Sequence, residues 1–108
     1  HHCADSHMNA FIRFHLTLTE EAPTIKPYKE NLWAELPAYN FPIEISLTLI
    51  DSLHARWSFA LKNISEKDWD RKYIHPEYGE EFTLFQALAL YAWHCKHHLA
   101  HIQLVKKK

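Results

Sequence analysis

Apolar residues recur every three or four positions in three long stretches of the chain, and each stretch predicts an amphipathic helix. The last of them, Thr83 to Val105, carries Leu84, Leu88, Tyr91, Ile102 and Val105 at helical spacing. Thr83 followed by Gln86 is a capping-box start, and the lysines at 106 to 108 suit the negative end of the helix dipole. The first stretch, His1 to about Glu20, places Ala4, Met8, Phe11, Ile12, His15 and Leu18 on one stripe. A neighbouring, more polar stripe holds His2, Asp5, Asn9 and Ile12. The middle stretch opens at Pro42, with Glu44 in its first turn, and runs to about Asn63. Its face is Ile43, Leu47, Ile50, Leu53, His54, Trp57 and Leu61.

The connections follow from breakers. Glu21 to Tyr28 contains Pro23 and Pro27 and reads as extended chain. Lys29 to Leu36 predicts a short helix stopped by Pro37, with Trp33 anchoring it to the bundle. Ser65 with Asp68 predicts one turn of helix as far as Asp70. The stretch from 71 to 82 reads as an irregular loop with a short hairpin about Pro76 to Gly79.

Three such helices predict an all-α bundle. Three alone leave a groove open. The chain is therefore expected to lack a helix upstream, an N-terminal truncation that also fits a start without Met. Faces at Leu53, Trp57 and Leu90 are then uncovered, which predicts a homodimer.

Composition narrows the classes. A chain of 108 residues makes one domain, 1–108. A net charge of -1 offers no nucleic-acid footprint. No apolar run approaches membrane-spanning length. Two cysteines, Cys3 and Cys95, are too few for a disulfide framework, and reduced thiols point to a cytoplasmic protein. A single glycine argues for helices over tight turns.

Histidine is the anomaly, at 10 residues. His1-His2 and Ser6-His7-Met8 resemble a purification tag and its scar, but Cys-Ala-Asp between them is no linker. His94 and His98 are the informative pair. At i and i+4 they fall within the apolar stripe of the last helix. Each ring leaves a nitrogen needing a partner, and a transition metal satisfies both. One histidine in such a stripe is more often a hydrogen-bonded core residue, which is the favoured reading for His54. His97 lies about 100° from His98 and reads as surface, whereas His101, one turn below, reads as a pocket residue. No serine or cysteine nucleophile stands beside a base. Asp5 and Glu77 are the acidic residues nearest the pattern, and Asp5 is a candidate to orient a histidine.

Four segments then carry a resemblance: His1 to Phe14 (HHCADSHMNAFIRF), Pro23 to Tyr28 (PTIKPY), His75-Pro-Glu77, and Leu88 to Ile102 (LALYAWHCKHHLAHI). Together they resemble the YfiT branch of the DinB-like superfamily. The resemblance implies an up-down-down-up four-helix bundle, of which this chain holds the last three helices. It implies one divalent ion, Zn2+ or Ni2+, bound by three histidines: His2, His94 and His98. His1 is the weaker alternative to His2. Cys3 and Cys95 depart from the family pattern and are expected to be bystanders. The family's members were labelled metal-dependent hydrolases, and relatives are thiol S-transferases using bacillithiol. The expected activity is S-transfer from a low-molecular-weight thiol to a small electrophile, through metal-bound thiolate or water. The alternatives are hydrolysis proper, or a non-enzymatic metal-binding, stress-response dimerisation module.

Overall fold

In the computed structural model, the chain runs α1 (His2–Thr19), α2 (Glu30–Ala34), α3 (Ile43–Asn63), β1 (Lys72–His75), β2 (Glu80–Thr83) and α4 (Leu84–Lys106). Residues 1–106 are described; within them the side chains of His94, His97, His98 and positions 101–106 lie outside the description. Single 3-10 turns at Pro37–Asn40 and Glu66–Asp70 precede α3 and β1.

The helix starts expected from sequence form for different reasons. At Thr83 the box closes in both directions: the Gln86 amide N–H donates to Thr83 Oγ1 at 3.1 Å, and the Thr83 N–H donates to Gln86 Oε1 at 3.0 Å. Ser65 behaves otherwise. Its hydroxyl donates to the Asp68 carboxylate at 3.1 Å and caps no backbone N–H, and the turn after it is 3-10. Pro42 stands just before α3, where its missing N–H costs nothing.

The stretch after Asp70 forms the hairpin itself. β1 and β2 pair antiparallel with Tyr73 opposite Phe82. Gly79 closes the turn at φ 62 and donates its N–H to His75 O. The extended segment between α1 and α2 lies beside the hairpin, Thr24 bridging to Ile74. Two ties fix the base of the hairpin. Arg71 Nε donates to Thr17 O at 2.8 Å, and the Leu84 N–H donates to Arg71 O at 2.9 Å. They aim α4 back along α1.

The core sits where those helices meet. Ala10, Phe14, Trp57 and Leu84 form its centre, with Phe11, Leu61 and Tyr91 packed around it. A second cluster of Ile25, Tyr73 and Ala87 lies under the hairpin. Two expectations need correction. Trp57 is not an uncovered residue: it is only 8% exposed, edge-on to Phe11, Phe14 and Tyr91. Trp33 does not reach the bundle core; it packs on Tyr28, ring centroids 4.8 Å apart, and stays exposed. The start of the α3 stripe is open, with Ile43 59% and Leu47 58% exposed, whereas Ile50, Leu53 and Leu61 are half-buried. Among the described residues no helix is long and apolar enough to cross a membrane.

Candidate metal centre

The first turn of α1 gathers histidines because the sequence places His1, His2 and His7 within two turns, on different sides of the helix. His1 points toward the start of α3. One of its ring nitrogens meets Ser46 Oγ, and the other lies 2.6 Å from the Phe41 carbonyl oxygen. Both nitrogens are thus engaged. Its ring faces Tyr39, whose hydroxyl donates to the Asp5 carboxylate. Burial first, and the neighbouring Asp5 carboxylate second, push the Tyr39 hydroxyl well above the usual phenol range. Asp5 therefore receives a tyrosine. The expected role of orienting a histidine finds no contact among the described residues.

His2 is half-buried and shares its stripe with Ser6, Asn9 and Arg13. His94 and His98, the other two expected ligands, lie on the α4 backbone, and their side chains are outside the described residues, as are those of His97 and His101. The position of α4 against α1 is nevertheless defined. Leu84 packs at the Phe14 level, and Cys95 Sγ lies 3.5 Å from His7 Nε2. The two helices run antiparallel. Cys95, beside His94 in the chain, thus lies about one and a half turns along α1 from His2.

His7 was not singled out from the sequence as a site residue, since no histidine stands three or four positions from it. It is buried, and its Nδ1 lies 2.6 Å from His54 Nε2, the rings stacked at 4.8 Å. His54 is thus hydrogen-bonded, as favoured for it, but it is exposed and not a core residue. Among the described residues, His54 meets His7 at Nδ1 and Cys95 meets it at Nε2, linking three helices. Among the described residues, no group of three or more histidine, cysteine or acidic side chains is placed to hold one. The Cys95 thiol is pushed up by burial, with Cys3 adding to the shift, which disfavours the thiolate a metal would need. Neither cysteine is in a disulfide.

Two hollows flank this end of α1. One, about 470 Å³, is lined largely by apolar groups, including Trp33, Leu36, Phe41 and Ile45, with His1 and Asp5 at its polar edge. The other, about 300 Å³, lies between α1, the hairpin and α4, and carries Arg13, Tyr28, Glu30 and His75. Sequence reasoning picked neither, because their walls are assembled from segments far apart in the chain.

A profile of the DinB superfamily matches residues 1–102. A protein of Oceanobacillus iheyensis named "Putative metal-dependent hydrolase" is 56% identical over 109 residues, covering 100% of this chain and 63% of the relative. One of the same name from Bacillus cereus is 52% identical over 108 residues, covering 62% of its length. The chain thus spans less than two thirds of these relatives. Among solved structures it is similar to YfiT from Bacillus subtilis, described as "a probable metal-dependent hydrolase with an unusual four-helix bundle topology". That likeness has a TM-score of 0.96 and 45% identity, over 99% of this chain and 62% of the other. With the helices, the hairpin and the histidine-bearing segments all matched, the chain belongs to the DinB superfamily.

Proposed function

We propose that the protein is a metal-dependent enzyme that transfers a low-molecular-weight thiol to a small electrophile, its divalent ion, Zn2+ or Ni2+, held by His2, His94 and His98. The observation that supports this reading is the contact of Cys95, next to His94 in the chain, with His7 near the start of α1. The engagement of both His1 nitrogens favours His2 as the third donor. Three neutral imidazoles suit a divalent ion and leave coordination positions open. A bound ion there supplies Lewis acidity, lowering the pKa of a coordinated thiol or water.

Thiol chemistry asks less of the surrounding residues than hydrolysis. A free thiol ionises near pH 8.5, so a modest shift yields the thiolate, whereas water starts near 15.7. Hydrolysis also gains from a carboxylate base, and Asp5 is already bonded by Tyr39. Relatives named for metal-dependent hydrolysis keep that reaction as the second reading.

The test measures metal content, helicity and turnover together. His94→Ala and His98→Ala should lose stoichiometric metal while staying helical, His2→Ala should lose most of it, and His97→Ala should keep it. Turnover should require both a thiol and an electrophile. Full metal in folded His94→Ala and His98→Ala would place the ion elsewhere. Ester hydrolysis without thiol would favour the hydrolase. Metal binding with neither activity would leave a non-enzymatic module.

A further inference from the structure

A hollow of about 200 Å³ lies between α1, α3 and α4, and His7, His54 and Cys95 all line it. Nothing in the residue order places a cysteine beside a base, yet the fold sets Cys95 Sγ 3.5 Å from His7 Nε2. On the other side of the ring, His7 Nδ1 lies 2.6 Å from His54 Nε2. With His7 Nδ1–H donating to His54 Nε2, His7 Nε2 is the acceptor for the thiol S–H. A nucleophile, a base and a third group that orients the base thus stand within reach of one another.

The rest of the lining indicates what the thiol would meet. Leu61, Leu88 and Tyr91 make the walls apolar. Trp57 lines the hollow too; it is 8% exposed, and its Nε1–H is buried with no hydrogen-bond partner among the described residues. An indole N–H can only donate, so it calls for an acceptor such as a carbonyl oxygen. The volume suits a molecule smaller than a drug-sized ligand. Burial pushes the Cys95 thiol up, so the site does not offer a standing thiolate. A base that takes the proton as the new bond forms removes the need for one.

We propose that this hollow is a covalent capture site for small, apolar α,β-unsaturated carbonyl compounds, with Cys95 as nucleophile, His7 as base and Trp57 as donor to the carbonyl oxygen. The Cys95 Sγ bonds to the β-carbon of the alkene, and the C=C electron pair moves toward the carbonyl. His7 removes the thiol proton and returns it to the α-carbon. The product is a thioether; nothing leaves, and no oxidant or further reactant is consumed. His54 positions His7 by accepting from its Nδ1–H. Capture uses the chain's own cysteine in place of an added thiol, so it stands apart from the metal-dependent reading.

The test incubates the metal-loaded protein with 2-cyclohexen-1-one at neutral pH and follows intact mass and peptide maps. Cys95 should gain one enone, at least about tenfold faster than N-acetylcysteine does under the same conditions. His7→Gln should slow that gain by about tenfold or more, the loss expected of a general base. Iodoethane, which has no carbonyl, isolates the indole: Trp57→Phe should slow the enone and leave alkylation by iodoethane unchanged. His54→Leu should slow capture, whereas His54→Gln, which keeps an acceptor, should retain it. His54 is exposed, so this pair holds the test open should His7→Gln or Trp57→Phe unfold. Addition no faster than to N-acetylcysteine, or equal rates in the two His54 variants, overturns the site. So does a rate that falls on chelation of the metal while helicity holds, since the nucleophile would then be bound to the ion.

Discussion

Helices α1 and α3 are the instructive pair, alike in sequence pattern and unlike in structure. Both carry an apolar stripe at helical spacing. In α1, six residues are buried: Ala4, Ser6, His7, Ala10, Phe14 and Thr17. Only Trp57 is buried in the longer α3, while Ile45 and Leu47 are each 58% exposed and Phe59 is 71% exposed. The difference lies in neighbours. α1 is enclosed by α3, by β1 and by the α4 residues that pack on its Ala10–Phe14 turn. α3 meets the rest of the chain chiefly through α1. A stripe thus says that a face suits burial, and leaves open what buries it.

The largest effect should come from breaking the enclosed side. Phe14→Ala, at 5% exposure, should cost about 3–5 kcal/mol of unfolding free energy, whereas Leu47→Ala should stay within about 0.5 kcal/mol. Chemical denaturation at low protein concentration measures both. We propose that a second copy of the chain covers the open face of α3, giving a homodimer. Light scattering then finds twice the chain mass, and the Leu47→Ala loss grows with protein concentration. A monodisperse monomer at micromolar concentration would dismiss the pairing.

Alkali sharpens the comparison next, because the tyrosines with resolved upward shifts pack around α1. Tyr73, buried beside the Ile25 cluster, has its hydroxyl pushed up to about 12, mainly by burial and then by Tyr91. A raised folded-state value means the contribution is complete below the unfolded pKa near 10 and lost as pH rises through about 12. Unfolding free energy should therefore fall between those limits, by up to about 3 kcal/mol for this residue. Tyr73→Phe should flatten that fall in denaturation series at pH 9 and 11.5. An unchanged slope would mean the hydroxyl ionises freely.

The smallest effect concerns the entry to α4. Thr83→Ala removes one half of the reciprocal cap and should cost about 1 kcal/mol, read from the thermal midpoint. Ser65→Ala should cost less, since Ser65 bonds the Asp68 side chain and caps no N–H. Equal losses would remove the distinction between the two starts.

Much of the fold was open to reading from residues alone. Spacing of apolar positions located α1, α3 and α4 to within a residue or two, because a helix writes its period locally. The Thr83–Gln86 box and the turn at Gly79 were equally local. The i, i+4 relation of His94 and His98 came from the same periodicity, and the place of His2 came from family resemblance. Long-range facts were another matter. Nothing near Trp57 indicates that Phe11, Phe14 and Tyr91 will enclose it, and Trp33 reads like an anchor until Tyr28 is found beneath it. His7 looks accidental in sequence, yet it joins His54 to Cys95 across positions 47 and 88 residues away. Arg13, Glu30 and His75 share a cleft only because the hairpin folds back over α1. The sequence by itself determined which residues form helices and which faces are apolar, since both are set by neighbours three or four positions apart. Only the tertiary structure decided which faces meet and which charges share a hollow, since those depend on chain directions fixed by ties such as Arg71 to Thr17.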